Sequence, residues 1–160
     1  MKTILITGAT SGIGLAAAKK LANEKNQLIL CGRRQNKLDE ISEELSKSAN
    51  VLSLCFDVSD KNEVNKLLSD LPKEFSSIDI LINNAGNAHG LDTIQDGSLD
   101  DWDNMFDSNV KGLLYVSRVL MPKMIENQNG HIINIGSLAG REVYEKGNIY
   151  CATKHAVNAI

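Results

Sequence analysis

The sequence contains little that would mark a secreted or nucleic-acid-binding protein. Its three cysteines, Cys31, Cys55 and Cys151, form no CxxC pair and leave one thiol over in any disulfide scheme. It contains no N-x-[ST] glycosylation sequon, so a reducing, cytoplasmic location is predicted. Its 17 basic and 20 acidic residues give a formal net charge of −3, which offers no support for binding to nucleic acid or to an anionic membrane.

Long apolar runs and clusters of metal ligands are absent as well. No run approaches the length that spans a membrane, and Met1–Ile6 is too short for the core of a signal peptide. The histidines, His89, His131 and His155, do not have the spacing of metal ligands, and no metal site is predicted. Because no linker or low-complexity segment interrupts its 160 residues, the chain is predicted to form a single domain, residues 1–160.

Short apolar runs alternate with longer amphipathic stretches along the whole chain. The runs, which predict strands, are Thr3–Thr7, Gln27–Cys31, Val51–Phe56, Asp79–Asn83 and His131–Gly136. The stretches, which predict helices, are Ile13–Glu24, Asn36–Lys47, Lys61–Leu71 and Leu99–Asn127. Because the runs are largely apolar rather than alternating, they are typical of parallel strands buried on both faces. The sequence therefore predicts an α/β fold, a Rossmann-like doubly wound parallel sheet.

The longest helical stretch carries a polar residue among apolar ones. Ser98 and Asp101 resemble a capping box at its start, and Pro122 is predicted to kink or end its first part. Asn109 lies on or beside the apolar stripe, where an amide needs hydrogen-bond partners. It is either a satisfied core amide or part of a site, and the spacing alone favours the core amide because most buried polar groups are structural.

A glycine-rich turn joins the first predicted strand to the first predicted helix. Its sequence, Thr7-Gly8-Ala9-Thr10-Ser11-Gly12-Ile13-Gly14, has the spacing G-x-x-x-G-x-G rather than G-x-G-x-x-G, and it is not a Walker A loop. Glycines allow a tight turn and close backbone approach, and the helix that follows offers free N–H groups to a pyrophosphate. The turn predicts a dinucleotide site at Gly8, Thr10, Ser11, Gly12, Ile13 and Gly14.

The ends of the next two strands indicate which dinucleotide is bound. The second strand ends in Arg33 and Arg34 without a carboxylate, and two guanidiniums suit the 2′-phosphate of NADP, whereas NAD sites usually have an acid there. The predicted cofactor is therefore NADP. Asp57 and Val58 follow the third strand, beside the expected adenine. Asp57 either accepts a hydrogen bond from the adenine amino group or caps the next helix, and its spacing does not separate these alternatives.

Tyr150 and Lys154 lie four residues apart, which places them on one face of a helix. An ammonium beside a phenol favours the phenolate, which can exchange a proton with a substrate near neutral pH. Taken alone, such residues form an ordinary surface pair. Two other groups are predicted at the carboxyl edge of the sheet, where open α/β sheets bind ligands: Asn83–Gly86 after the fourth strand and Ser137 after the fifth.

Together these elements resemble the short-chain dehydrogenase/reductase family. The motifs that carry the resemblance are Thr7-Gly8-x-x-x-Gly12-Ile13-Gly14, Asn83-Asn84-Ala85-Gly86, Asn109, Ser137 and Tyr150-x-x-x-Lys154, each at the expected strand end or helix. Within the family, the runs Asp79–Gly90 and Asn134–Arg141 are most similar to the NADP-dependent 3-hydroxy acid dehydrogenases that oxidise serine and allo-threonine. The resemblance implies an oxidoreductase that transfers a hydride between NADP(H) and a small alcohol or ketone.

The resemblance also implies a role for each matching residue. Tyr150 would be the general acid/base, Lys154 would activate it and bind the nicotinamide ribose, and Ser137 would hold the substrate oxygen. Asn109 would hold a water that relays protons from Lys154, which reverses the assignment made from spacing. Further nicotinamide-side contacts are implied for Asn84, Ala85 and Gly86. A homodimer or homotetramer, packed through the long helix and the Tyr150 helix, is implied for the full-length protein.

Family members continue through further strands, a Pro-Gly turn and a substrate-covering loop. Because this sequence stops at Ile160, we expect a domain with strands one to five present and the C-terminal strands missing. Two alternatives to the dehydrogenase therefore stay open. One is a truncated, non-catalytic nucleotide-binding or interaction module, and the other is a family member that acts on a different carbonyl substrate.

Overall fold

The computed structural model describes residues 1–160, and five strands form one parallel sheet at its centre. The strands are β1 (Lys2–Thr7), β2 (Asn26–Gly32), β3 (Asn50–Cys55), β4 (Ile80–Asn83) and β5 (His131–Asn134). They lie in the order β3-β2-β1-β4-β5, and every neighbouring pair is parallel. This topology confirms the predicted doubly wound fold. The order of the strands changes direction next to β1, so the carboxyl ends of β1 and β4 flank the crevice where such sheets bind ligands.

Six helices connect and cover the strands. They are α1 (Gly12–Leu21), α2 (Gln35–Leu45), α3 (Lys61–Ser69), α4 (Leu99–Phe106), α5 (Leu113–Glu126) and α6 (Asn148–Ala159). Two short 3₁₀ turns, Lys73–Phe75 and Leu138–Gly140, and one π-helical turn, Asp107–Gly112, complete the backbone. No helix combines the length and the apolarity that crossing a membrane requires.

The core lies on both faces of the sheet because the strands are apolar on both sides. Leu5 and Leu81 point to the face covered by α3 and α5, whereas Ile4 and Leu28 point to the face covered by α1 and α2. All four side chains are at most 1% exposed. Full burial of such a side chain stabilises the fold by about 1.5–3 kcal/mol, so the apolar layers on both faces stabilise the sheet.

The predicted long helix is divided in the structure. Ser98 Oγ accepts a hydrogen bond from the Asp101 N–H, which confirms half of the predicted capping box at the start of α4. Of the two effects predicted for Pro122, a kink or the end of the helix, the end is wrong, because α5 continues through Pro122 to Glu126. The carbonyl group that loses its partner belongs to Arg118, an exposed residue, so water can replace the missing bond. The irregularity lies instead at the π-helical turn, which contains Asn109.

Candidate active site

A cleft of about 550 Å³ opens at the carboxyl ends of the strands. Most of the residues predicted from the sequence line it: Gly8, Thr10, Ser11, Gly12, Ile13, Arg33, Arg34, Asp57, Val58, Asn84, Ala85, Gly86, Tyr150 and Lys154. Three predicted residues do not line it. Gly14 lies beneath the glycine turn, and Asn109 and Ser137 lie next to lining residues. The fold therefore brings the two ends of the predicted site, more than a hundred residues apart in sequence, into one cavity.

The cleft also contains residues that were not singled out from the sequence. They are Gly32, Phe56, Asn87, Ala88, Ser108, Ile135 and Gly136. All of these lie one or two residues from a predicted site residue, so extending each motif by that much would have found them. Ser108, which precedes Asn109, lies in the π-helical turn, where its Oγ accepts a hydrogen bond from Asn87 Nδ2 over 2.9 Å.

The glycine turn leaves room that a side chain would fill. Gly8 has φ +64°, and a Cβ on it would lie 2.8 Å from Asn84 Nδ2 and 2.9 Å from Ala85 Cα. A Cβ on Gly14 would collide with Gly8 O and with Asn84 Nδ2, so that position requires glycine for packing. Gly12 has φ +54° and no neighbour within 4 Å, which leaves its surface open to the cleft. The turn thus forms a cradle at the N-terminus of α1, suited to a pyrophosphate.

Asn84 and Thr7 join the ends of β4 and β1 beneath this cradle. Thr7 Oγ1 accepts from the backbone N–H groups of Asn84 and Ala85, at 3.0 Å each. Asn84 Nδ2 donates to Thr7 O over 2.9 Å and to Gly8 O over 3.0 Å. Because both side-chain N–H groups of Asn84 donate to backbone carbonyls, the main role of this side chain is to fix the shape of the cleft floor. Thr7 also fixes the cleft floor, through the hydrogen bonds that its Oγ1 accepts, and the sequence did not indicate this role.

The two arginines enter the cleft with different partners. Arg34 Nη2 donates to Thr10 Oγ1 over 2.8 Å and to Ser11 Oγ over 3.1 Å, so this guanidinium lies against the glycine turn. Arg33 Nη1 pairs with Asp57 Oδ2 over 3.3 Å, and its side chain is 67% exposed. A positively charged surface therefore borders the cradle, with one guanidinium anchored and one held by a weak, exposed ion pair.

Asp57 forms a local turn rather than a helix cap. Its Oδ1 accepts from the N–H and the Oγ–H of Ser59, while Asp60 caps α3. The capping alternative for Asp57 is therefore wrong. Partial burial acts to raise the pKa of Asp57, but the Ser59 hydrogen bonds and the Arg33 guanidinium outweigh it and hold that pKa below its ordinary value. The carboxylate remains charged at neutral pH.

Tyr150 and Lys154 project from the first two turns of α6 toward the cleft. Lys154 Nζ lies 5.9 Å from the centroid of the Tyr150 ring and donates to Ile135 O over 2.9 Å. Only 8% of Lys154 is exposed, and burial lowers the pKa of its ammonium. The helix lies close to the turn after β5, because a Cβ on Gly140 would be 2.6 Å from Lys154 O. The pair is thus held between α6 and β5, not on an open helix surface.

Ser137 starts the 3₁₀ turn Leu138–Gly140 that follows β5. Its Oγ accepts from the Ala139 N–H over 3.1 Å, which leaves the hydroxyl proton available for donation. The two residues before it, Ile135 and Gly136, line the cleft. Ser137 is therefore at the rim of the cavity, on the same side as Lys154, whose ammonium is bonded to Ile135 O.

Asn109 is buried behind the cleft, with only 2% of its surface exposed. Its Oδ1 accepts from the Asn87 N–H over 2.8 Å, and its Nδ2 donates to Asn87 O over 2.8 Å and to Thr153 Oγ1 over 3.1 Å. A Cβ on Gly86 would lie 2.8 Å from Asn109 Oδ1, so only glycine there lets the amide approach the loop. Asn109 is thus a satisfied buried amide that joins two walls of the site.

Comparison with known proteins places this geometry in context. A family model described as short chain dehydrogenase matches residues 2–160. The NADP-dependent 3-hydroxy acid dehydrogenase of Schizosaccharomyces pombe is 45% identical over 159 residues, which cover 98% of this chain and 61% of that protein. The protein of the same description from Shigella flexneri is 43% identical over 151 residues, which cover 94% of this chain and 60% of that protein.

Solved structures give the same result. The closed form of serine dehydrogenase complexed with NADP+ superposes with a TM-score of 0.94 at 41% identity, covering 98% of this chain and 62% of that one. Serine dehydrogenase from Escherichia coli superposes with a TM-score of 0.93 at 41% identity, covering 98% of this chain and 72% of that one. The chain spans about three fifths of the length of the curated relatives it matches.

Proposed function

The chain belongs to the short-chain dehydrogenase family, and from that premise we propose that the protein is an NADP-dependent oxidoreductase acting on a CH–OH group. The observation that carries this proposal is the single cleft that contains the glycine cradle, two arginines and the Tyr150–Lys154 pair. A nucleotide-binding module would need only the first two of these features. A buried lysine beside a phenol is useful where a proton must be transferred.

The residues present fit NADP. The open surface at Gly12 and the free N–H groups at the start of α1 suit the pyrophosphate, and Arg33 and Arg34 suit the 2′-phosphate. Asp57 and Val58 would line the adenine side, and Asn84, Ala85 and Gly86 the nicotinamide side. When bound, the nicotinamide accepts or donates the hydride, and the protein supplies position and proton transfer.

Tyr150 would exchange the proton of the reacting oxygen. In oxidation, Tyr150 Oη would take the O–H proton of the substrate, and in reduction it would return a proton to the carbonyl oxygen. NADP(H) would supply the hydride chemistry at the carbon that bears this oxygen. Lys154 would favour the phenolate, and its burial strengthens this effect because a charge is screened less away from water. Ser137 would donate its free hydroxyl proton to the substrate oxygen. Both amide hydrogens of Asn109 are taken by Asn87 O and Thr153 Oγ1, so Asn109 would hold a relay water on the path from Lys154 to solvent through an oxygen atom.

A 3-hydroxy acid such as serine or allo-threonine is the proposed substrate, supported by the similarity to 3-hydroxy acid dehydrogenases and to serine dehydrogenase. The test is an initial-rate assay of NADP+ reduction with serine, allo-threonine and simple alcohols that lack the carboxylate. We expect the hydroxy acids to be preferred by roughly tenfold or more, since a site built to bind a polar group rejects analogues without it. Equal rates would favour another carbonyl substrate, and binding of NADP+ without any turnover would favour the non-catalytic module.

We also propose that the protein is cytoplasmic and forms an oligomer. The three cysteines are free thiols, which supports a reducing compartment. Exposed apolar side chains on α4 and α5 support packing of subunits through these helices as a homodimer or homotetramer: Leu99, Phe106, Leu114, Met121 and Ile125. Sedimentation of the purified protein tests the assembly, and a monomer at micromolar concentration would contradict it.

A further inference from the structure

We propose that Thr153 is a positioning residue that fixes Tyr150 in the cleft by linking it, through Asn109, to the loop after β4. This inference rests on the proposed function. Thr153 has no exposed surface, and its Oγ1 donates to Tyr150 O over 2.8 Å and accepts from Asn109 Nδ2 over 3.1 Å. Asn109 in turn holds both the N–H and the carbonyl of Asn87. Four residues from three segments thus form one chain of hydrogen bonds.

The direction of every bond in this chain follows from the chemistry of the groups. The Asn109 Nδ2 can only donate, so it must take a lone pair of the Thr153 hydroxyl. The single hydroxyl proton is then available for Tyr150 O, which can only accept. The Asn109 Oδ1 accepts from the Asn87 N–H, which orients the amide without ambiguity. A hydroxyl that both accepts and donates is required at position 153, and valine cannot replace it.

The chain holds Tyr150 at its backbone and leaves its phenol free. The next residue, Lys154, donates from Nζ to Ile135 O, so two successive residues anchor α6 to two different walls of the cleft. A buried threonine that bonds only to the carbonyl three residues earlier would satisfy itself and need no partner. The bond from Asn109 is what distinguishes Thr153 from such a residue, because it connects the Tyr150 peptide to the wall formed by Asn87.

Thr153→Val, compared with Thr153→Ser, tests the inference. Valine keeps the shape but removes the hydroxyl, and serine keeps the hydroxyl. We expect Thr153→Val to lower kcat by about 10- to 100-fold with little change in KM, because a small misplacement of a reacting group is costly. Thr153→Ser should retain most of the activity. Thr3→Val is the matched control, since Thr3 is also a buried threonine, 4% exposed, but lies in β1 away from the cleft, and it should leave kcat unchanged.

A second readout does not depend on turnover. Hydrogen exchange, followed by mass spectrometry, should accelerate in residues 148–154 of Thr153→Val and remain unchanged in β2, whereas Thr153→Ser should match the wild type. Normal kcat in Thr153→Val, or equal losses in Thr153→Val and Thr3→Val, would overturn the inference. If the wild type shows no turnover on any hydroxy acid, the proposed function fails, and unchanged exchange in residues 148–154 would then overturn the positioning role separately.

Discussion

Replacing Arg33 and Arg34 together by glutamine should convert an NADP-selective cleft into an unselective one. Arg34 is already anchored to Thr10 and Ser11, so its guanidinium loses little freedom when a phosphate binds. Arg33 has to leave its ion pair with Asp57. The structure therefore predicts that Arg34 contributes more to phosphate binding than Arg33, although both should contribute.

The size of the effect follows from these contacts. A hydrogen bond to a charged group contributes about 1.5–3 kcal/mol, which we assign in full to Arg34. For Arg33 the gain is reduced by the exposed pair it gives up, which contributes about 0–1 kcal/mol. The sum is about 2–6 kcal/mol, and since each 1.4 kcal/mol is tenfold in affinity, NADP+ should bind at least roughly tenfold and up to about 10⁴-fold more weakly to the double variant.

Titration of the purified protein with NADP+ and with NAD+ measures this effect, because NAD+ lacks the 2′-phosphate. A matched control is Lys19→Gln with Lys37→Gln, which removes the same charge from exposed lysines that pair with Glu44 and Glu40 outside the cleft. The control should retain NADP+ affinity, and NAD+ affinity should be unchanged in both double variants. Equal loss for the two cofactors, or an unchanged preference for NADP+, would refute the assignment of the arginines.

Two further predictions concern the packing of the cradle and the buried lysine. Gly14→Ala should lower the free energy of unfolding by about 3 kcal/mol, because the new Cβ meets the backbone carbonyl of Gly8. Gly12→Ala has no neighbour to meet and should lower it by only about 1 kcal/mol, because of the left-handed backbone at that position. Urea unfolding compares the two variants, and equal losses of stability would contradict the packing role of Gly14. Burial lowers the pKa of Lys154, so between the folded and unfolded pKa values the folded protein binds fewer protons than the unfolded chain. The free energy of unfolding of the wild type should therefore rise with pH, relative to that of Lys154→Met, until about pH 10.4, the pKa of an unperturbed lysine. A difference in unfolding free energy that does not change with pH would contradict this.

Much of the fold was predictable because buried parallel strands leave a local signal. An uninterrupted apolar run such as Gln27–Cys31 is typical of a strand covered on both faces, and β2 extends only one residue beyond it at each end. The cleft was predictable for a related reason. Parallel strands deliver their carboxyl ends to one edge of the sheet, so the glycine turn, Asn84 and Ser137 had to be neighbours once the strand order was known.

The features that the sequence did not reveal depend on contacts between distant side chains. The π-helical turn at Asp107–Gly112 keeps the apolar spacing of an ordinary helix, so its pattern gave no warning of the extra residue in the turn. Similarly, the ion pair of Arg33 with Asp57 depends on how two loops are placed after β2 and β3. Spacing alone favours a core amide over a site residue for Asn109, and this amide is buried, hydrogen-bonded through both polar atoms and adjacent to the cleft.

Turnover of Tyr150→Phe is the most direct test of proton transfer by Tyr150. The variant keeps the ring that lines the cleft and loses only the phenolic oxygen. Removing a general acid/base lowers the rate by about 10²–10⁴-fold, so NADP+ reduction with serine should fall by that factor while the affinity for NADPH stays unchanged. Tyr115→Phe, on α5 and outside the cleft, is the control and should behave as the wild type. Turnover by Tyr150→Phe close to that of the wild type would contradict the proposed role.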